Sequence, residues 1–416
     1  MAQRDLLDVD LTDVELYRGG FPHDVFRALR QDDPVRWQPY PDDFRASPGE
    51  DGFWVLSRHA DVQAANRDNE LFVAFDGPQL SHQPEIQGTM LVSMDGRDHT
   101  RLRRLVSAGF TPRMIRRLDE QARRWAVAIV DRAIEHGECD FVQEIAYPLP
   151  MNMIADIIGI PVEDREHVFA VTAKFLNGGD PELGMTPSER FAAQVEMFQY
   201  GQQLGQAKRA EPQDDVWTLL STLEIEDDDG TRTVLSPIEL DLFFMLLTVA
   251  GSETTRNAIA LGLWALWEHP DQMALLRNDP GVMSTAVEEI LRWASPVSYF
   301  GRRAARSTEI GGVPIAEGDR ITMWFASANR DEAAFDDPFR FDLTRTPNPH
   351  VTFGGGGPHF CLGAHLARRE ITILFEELVA RTREIEVLAP PSYTMLGLEN
   401  PVLLAAKALP VRLAAA

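Results

Sequence analysis

The chain has 416 residues, of which 44% are hydrophobic and 25% charged, and its formal net charge is −24. This composition is typical of a globular protein and excludes disordered and membrane-like chains, while the excess of acid argues against nucleic-acid binding. Only two cysteines are present, so no disulfide framework is available and we expect a cytoplasmic protein.

The order of elements predicts a fold that is mainly α with minor β. Residues 1–17 are acidic and lack the apolar core of a signal peptide, and the longest apolar stretch, Leu242 to Gly251, is too short to span a bilayer. A strand is predicted over Asp51–Ser57, helices over most of 100–270 and short strands over 298–325. Because no linker or repeat interrupts this order, we expect one domain over residues 1–416 and no membrane anchor.

A basic stretch between residues 97 and 124 interrupts the acidic chain. Its nine arginines outnumber its acidic residues by six. Two interpretations stay open: a solvated helix face, or a docking patch for an acidic partner combined with arginines turned inward onto an anion. The nine are Arg97, Arg101, Arg103, Arg104, Arg113, Arg116, Arg117, Arg123 and Arg124.

The longest predicted helix begins at Ser236 as N-cap, with Pro237 in the first turn and Glu239 completing a capping box, and it stops before Pro270. It should run about 50 Å, and its apolar first half should be buried. The motif "AGSETT" (250–255) then places glycine, threonines and an acid in mid-helix, where they are unfavourable. Either the helix kinks and the acid reaches solvent, or a distorted turn leaves carbonyls and a hydroxyl free for a ligand or water.

Glu289 and Arg292 lie three residues apart on the next predicted helix, and Arg340 follows in "DDPFRFD". Such a pair is commonly an exposed surface contact. A buried glutamate held by two arginines would instead fix irregular chain in place.

The stretch "FGGGGPHFCLG" (353–363) presents Cys361 just before an amphipathic helix. A cysteine at a helix N-terminus is favoured as the thiolate, and the glycines before it are expected to let N–H groups point at the sulfur and to let a flat ligand approach the backbone. Zinc is disfavoured because no four-ligand set is near, and a thiol nucleophile lacks an evident base. A single thiolate facing a planar ligand suits haem iron, and the sequence lacks the C-x-x-C-H pattern of covalent haem attachment.

Four motifs in the same order and spacing give the chain a resemblance to the bacterial cytochromes P450: "AGSETT", "EEILR", "ANRDEAAFDDPFRFD" and "FGGGGPHFCLG". The resemblance implies the cytochrome P450 fold, with one long central helix over a non-covalent haem b, and O2 as co-substrate. It implies Cys361 as the axial iron ligand, Glu253 and Thr254 as the catalytic acid–alcohol pair, and Glu289, Arg292 and Arg340 as a structural triad. The cofactor-binding residues that it implies are His99, Arg103, Ala250, Arg302, Phe353, His359, Cys361 and Gly363.

Cys361 lies eight residues after Phe353, and this loop resembles a branch that hydroxylates sterol side chains and methyl-branched lipids. The resemblance implies a monomer that takes electrons from a ferredoxin and its reductase, and an apolar substrate such as a lipid, steroid side chain or terpenoid. Arg104, Arg113, Arg116 and Arg117, with Arg368 and Arg369, are candidates for docking the ferredoxin. The alternatives are a peroxide-driven hydroxylase and a haem-thiolate binding protein or sensor without turnover. The implied pocket residues are Leu246, Val249, Val297, Tyr299, Phe300 and Met395.

Overall fold

Helices form most of the computed structural model, which describes residues 6–110, 112–177, 184–226, 230, 232–396 and 402–416. The prediction of a mainly α fold with minor β is therefore confirmed. The α-helices are α1 (His23–Asp32), α2 (His59–Arg67), α3 (Gly96–Ala108), α4 (Pro112–His136), α5 (Pro148–Ile158), α6 (Val162–Asn177), α7 (Pro187–Ala210), α8 (Val216–Thr222), α9 (Pro237–Glu268), α10 (Pro270–Asn278), α11 (Met283–Ala294), α12 (Phe325–Ala328) and α13 (Ala364–Arg381).

The strands are short and lie toward the two ends of the chain. They are β1 (Val35–Pro39), β2 (Gly52–Leu56), β3 (Phe72–Val73), β4 (Glu138–Asp140), β5 (Ile225–Glu226), β6 (Arg232–Thr233), β7 (Phe300–Ala304), β8 (Thr308–Ile310), β9 (Val313–Ile315), β10 (Arg320–Met323), β11 (Thr382–Val387), β12 (Ser392–Leu396), β13 (Leu403–Ala408) and β14 (Pro410–Ala415).

The largest sheet has the order β1-β2-β10-β7-β3, in which β10 pairs with β2 in parallel and with β7 antiparallel. Side chains alternate between the two faces of a strand. On β7, Phe300 and Arg302 therefore share one face, while Arg303 points the other way and pairs with Glu50 and Asp76. This alternation delivers one apolar and one cationic side chain to the same side of the sheet.

Helix α9 crosses the centre of the fold. Ser236 accepts the backbone N–H of Glu239 while the Glu239 carboxylate accepts from the backbone of Ser236, so the predicted capping box is present. The helix spans 32 residues, about 48 Å, and packs against α5, α7, α11 and α13. It stays α-helical through residues 250–255.

Two hydrophobic regions support this frame: a large helical core around α9, and smaller clusters on the two faces of the five-stranded sheet. Within the described residues, no helix is both long enough and apolar enough to cross a membrane.

Candidate active site

A cavity of about 530 Å³ lies between α9, α3, β7 and the loop 353–363. Its walls are largely apolar, and Cys361 and Thr254 both face it. Most of the residues implied by the resemblance line this one space. They are His99, Arg103, Leu246, Ala250, Thr254, Val297, Phe300, Arg302, Phe353, His359, Cys361 and Gly363.

The four glycines before Cys361 all have positive φ, from 68° to 111°. At Gly357 a Cβ atom would lie 2.7 Å from the Asn66 carbonyl oxygen, so a larger residue would collide with the end of α2. Asn66 donates to the carbonyl oxygens of Gly354 and Gly356. The run thus packs the loop onto α2, and this differs from the expectation that its N–H groups point at the sulfur.

The Cys361 side chain is accessible from the cavity although protein surrounds it on the other sides. Burial raises the pKa of its thiol, which the backbone N–H groups of Gly363 and Ala364 and the charges of Arg103 and Arg368 oppose. The donors expected from the helix N-terminus are therefore present, at Gly363 and Ala364 and not in the glycine run.

A buried cluster of basic side chains, Arg302, His99 and His359, lines the same cavity as the sulfur. Burial lowers the pKa of Arg302 to about 10, which Asp95 counteracts, and burial with the nearby charge of His359 lowers the pKa of His99 to about 4. The centroids of the His99 and His359 rings lie 4.2 Å apart. The His99 Nε2 atom has no hydrogen-bond partner among the described residues. Asp95, which lies 3.6 Å from His359, is the carboxylate of this cluster and also accepts the N–H of Ala74.

These observations test whether the cavity fits a haem. The described part of the chain contains no group of three or more metal-ligating side chains, so a metal on Cys361 would need its remaining ligands from a non-protein group. The His99 nitrogen without a partner and the buried Arg302 guanidinium lie at the edge of the same cavity. A carboxylate bound there would accept hydrogen bonds from both. A flat, apolar macrocycle that carries a metal ion and peripheral carboxylates fits both features.

The two residues of the expected acid–alcohol pair, Thr254 and Glu253, face different parts of the structure. Thr254 lines the cavity and donates to the Ala250 carbonyl at 2.9 Å, so its hydroxyl can still accept a proton or hydrogen bond. Glu253 is 1% exposed and does not line the cavity. Its carboxylate lies 2.5 Å from Arg256, and burial raises the pKa of Glu253 above its ordinary value, an effect that this guanidinium opposes and does not cancel.

The predicted triad needs one correction. Glu289 and Arg292 form a fully buried bidentate pair with two contacts of 2.7 Å, so the surface interpretation is wrong. The third arginine is Arg345, 3.2 Å from Glu289, whereas the side chain of Arg340 is 65% exposed and lies 3.8 Å from Asp342. Arg340 contributes its backbone carbonyl, which accepts from Arg292, because the turn there directs its side chain outward.

Three of the six implied pocket residues lie on the cavity wall, namely Leu246, Val297 and Phe300. Tyr299, just before β7, does not, because its ring is fully buried in the core, 4.7 Å from the ring of Trp324. Val249 is also absent from the wall, since its position on α9 faces away. The side chain of Met395 lies outside the described residues.

The basic stretch is largely neutralised. Arg101, Arg117 and Arg123 pair with Glu239, Asp214 and the carboxylates of Glu376 and Glu377, which lie elsewhere in the chain. Arg103 donates to the Phe360 carbonyl and faces the cavity, as expected of an inward arginine. Within the part of the chain that the structure describes, Arg116 and Arg124 are exposed without an ion-pair partner, and the Arg113 side chain falls outside that part.

One buried acid was not foreseen. Glu370 lines the cavity, is 2% exposed, and its Oε2 has no partner among the described residues. Burial raises its pKa to about 8. The only signal in the sequence is an acid directly before the apolar run "ITILF", which a solvent-facing helix position explains equally well.

Comparison with known proteins adds independent findings. The family profile described as Cytochrome P450 matches residues 185–383. A steroid C26-monooxygenase of Rhodococcus jostii is 39% identical and covers 94% of this chain and 82% of its own length. A methyl-branched lipid omega-hydroxylase of Mycobacterium bovis is 40% identical, covering 88% and 86%. Among solved structures, a Mycobacterium marinum cytochrome P450 in complex with pseudoionone has a TM-score of 0.86 and 37% identity, covering 98% and 97%.

Proposed function

The chain belongs to the cytochrome P450 family, and we propose that it hydroxylates a C–H bond in a steroid side chain or a methyl-branched lipid with electrons from a ferredoxin. Members of this family are haem b monooxygenases that use O2. The observation that carries the proposal is the Cys361 sulfur facing an apolar cavity that is also lined by the buried Arg302 guanidinium and by a His99 nitrogen without a partner among the described residues.

Haem, when bound through a thiolate, supplies the activation of O2, because the sulfur donates electron density to the iron. In this chain Cys361 would bind the haem iron through its sulfur. His99, Arg103, Arg302 and His359 would hold the carboxylates of the haem by hydrogen bonds, which are strong where a guanidinium donates to a carboxylate. Ala250 and Gly363, which line the cavity without bulky side chains, would leave room for the plane of the ring.

Thr254 would hold a water in the cavity, because its hydroxyl oxygen can accept a hydrogen bond from the water while its own proton is donated to the Ala250 carbonyl. Glu253 would provide protons only after its carboxylate leaves Arg256, because the pair is buried and closed in this structure. A proton step gated by that ion pair is consistent with the usual role of a buried acid whose pKa differs from its ordinary value.

The substrate would lie against Leu246, Val297 and Phe300. These side chains offer apolar contact and no polar anchor, so position above the reacting centre would depend on shape. The named activities of the relatives from Rhodococcus jostii and Mycobacterium bovis, on a steroid and on a methyl-branched lipid, support this substrate class.

The electron donor would be an acidic ferredoxin that binds locally positive surface despite the net charge of −24. Arg116 and Arg124 are the cations of the basic stretch best placed to take part, because their charges are not compensated within the described residues. We extend the proposal to a monomer in the cytoplasm, which agrees with two free cysteines, Cys139 and Cys361.

The test is turnover of the haem-loaded protein with steroid and methyl-branched lipid substrates, driven by ferredoxin or by peroxide. Thr254→Ala should consume electrons but release peroxide in place of product, since it loses the hydroxyl in the cavity. Thr248→Ala is the matched control, because this threonine also donates to a carbonyl four residues earlier but does not line the cavity. Equal product yield per electron in both variants would remove Thr254 from the mechanism.

The same assay separates the alternatives. A peroxide-driven hydroxylase would form product with peroxide alone and gain nothing from ferredoxin, whereas a sensor would bind ligand without product under either condition. Arg116→Glu with Arg124→Glu should weaken ferredoxin-driven turnover, most at low salt, and leave peroxide-driven turnover unchanged. An equal loss in both modes would contradict docking at these arginines.

A further inference from the structure

Arg368, which the sequence suggested as a docking residue, has all three guanidinium nitrogens bound within the protein. Its Nε and Nη2 donate to the two carboxylate oxygens of Glu288 at 2.6 and 2.8 Å, and its Nη1 donates to the Ala364 carbonyl at 3.3 Å. Three of its five N–H groups are thus used inside the protein, although the side chain is 33% exposed. The planar group also lies over the ring of Phe353, 4.4 Å from the ring centroid.

Phe353 in turn contacts the cysteine directly. The backbone N–H of Cys361 donates to the Phe353 carbonyl at 3.0 Å, and the Phe353 and Phe360 rings lie 6.2 Å apart. A displacement of the Phe353 backbone would therefore also displace the backbone of Cys361. The loop between these residues contains the four glycines, which restrain it little by themselves.

Glu288 is fixed on its other side by His350. The His350 Nδ1 accepts the backbone N–H of Thr352 at 3.4 Å, which leaves the proton on Nε2, and Nε2 donates to Glu288 at 2.9 Å. The histidine, the glutamate and the arginine thus connect α11, the start of the cysteine loop and α13. These three elements enclose the sulfur on the side away from α9.

We propose that Arg368, held by Glu288, is a positioning residue that fixes the Phe353 ring and through it the Cys361 loop. It acts through Phe353 and has no part in binding the electron donor. That this positioning keeps the Cys361 sulfur on a haem iron rests on the proposed function. That Arg368 restrains the loop does not depend on it.

The test compares Arg368→Gln with Arg381→Gln. Arg381 lies on the same helix, is 34% exposed against 33% for Arg368, and also pairs with two acidic groups, Glu377 and Asp131, but has no aromatic ring beneath it in the described structure. Backbone hydrogen exchange of residues 350–363, followed by mass spectrometry, should accelerate about tenfold in Arg368→Gln, since a stacked cation and a charged pair are lost. Arg381→Gln should leave this segment unchanged.

Three further measurements use the haem-loaded protein. The thiolate-ligated absorption band of the reduced CO complex should decay about tenfold faster in Arg368→Gln than in wild type, whereas the KM for ferredoxin should change less than about twofold. Arg368→Lys should resemble Arg368→Gln, because lysine keeps the charge but loses the planar two-point contact. In a Phe353→Leu background, Arg368→Gln should add less than about twofold to the decay.

Each contrary outcome would overturn a different part of the proposal on Arg368. A raised ferredoxin KM with normal exchange and normal decay would make Arg368 a docking residue. Wild-type behaviour of Arg368→Lys, or full additivity with Phe353→Leu, would show that the arginine does not act through the ring. A wild-type protein without the thiolate-ligated band would refute the proposed function alone, and hydrogen exchange would still decide whether the arginine restrains the loop.

Discussion

Two of the buried clusters of charged side chains in the described part of the chain differ in how their hydrogen bonds are satisfied. Around Glu289 every charge is answered from within the chain: Arg292 donates to the carboxylate and to three backbone carbonyls, and Arg345 and Asn348 complete the set. Around Arg302 the described residues supply one carboxylate, that of Asp95, for the two guanidinium groups of Arg302 and Arg103, and the His99 Nε2 atom has no hydrogen-bond partner.

The difference separates a structural cluster from a binding site. Buried polar groups are nearly always paired, so a network in which every charge has a partner stabilises the fold, and one that is incomplete at the wall of a cavity is a place where a ligand would supply partners. Here the incomplete network borders the cavity that Cys361 faces, while the complete one lies behind α11 and is closed to it. The predictions below perturb each cluster in turn.

The largest effect is expected at the complete cluster. Arg292→Leu leaves Glu289 buried without its main partner, which should lower the free energy of unfolding by about 3–5 kcal/mol and prevent stable haem incorporation. Arg340→Leu is the control, because that side chain is 65% exposed and should shift stability by no more than about 0.5 kcal/mol. Thermal denaturation measures both. If Arg340→Leu proves the more damaging substitution, Arg345 is not the third member.

At the cluster around Arg302, we expect haem binding to change more than the stability of the protein. Arg302→Gln removes a buried cation that has no hydrogen-bonded carboxylate in the described structure, so the protein should keep its melting temperature without haem but bind haem about 10- to 100-fold more weakly. Arg303→Gln, one residue further along β7 and paired with Glu50 and Asp76, should show the reverse: lower stability and normal haem affinity. Haem titration and melting curves provide the measurement, and identical profiles for the two variants would contradict the distinction.

A smaller effect is expected at Glu370, an unpaired acid on the cavity wall. Burial raises its pKa from 4.5 to about 8 in the folded state, so the folded protein holds this proton more tightly than the unfolded chain. Stability is therefore lost as pH rises between these values, by up to about 1.4 kcal/mol per pH unit. Glu370→Gln should melt at a higher temperature than wild type at pH 8 and near wild type at pH 4.5.

The control for that pH profile is Glu376→Gln, on the exposed side of the same helix. This variant should keep the wild-type dependence on pH. A wild-type slope in Glu370→Gln as well would show that Glu370 is ionised in the folded protein.

Much of this site could be predicted from the sequence, because the motifs that indicate it are formed by residues close together in the chain. The capping box at Ser236 and Glu239, the Glu289–Arg292 spacing and the cysteine before α13 depend on neighbours in the chain, and the structure contains all three. Arg340 and Arg345 lie five residues apart, and only the turn between them decides which side chain reaches Glu289. That choice has no local signature.

Ion pairs between residues far apart in the chain could not be predicted from the sequence either. Arg117 and Arg123 counted as free charges in the sequence, but their partners Asp214 and Glu376 lie 97 and 253 residues away. Arg368 was interpreted as surface for the same reason, since Glu288 lies 80 residues before it. Charge counts along a helix predict a docking surface only where tertiary partners are known.

The most direct test of the central claim, that Cys361 in this cavity is the axial ligand of haem iron, is the absorption spectrum of the reduced CO complex. Wild type and Cys139→Ser should both show the thiolate-ligated band, because Cys139 is a buried thiol outside the cavity, whose pKa burial raises to about 12. Cys361→Ser should lose the band and all product formation. A Cys361→Ser protein that keeps both would contradict the account.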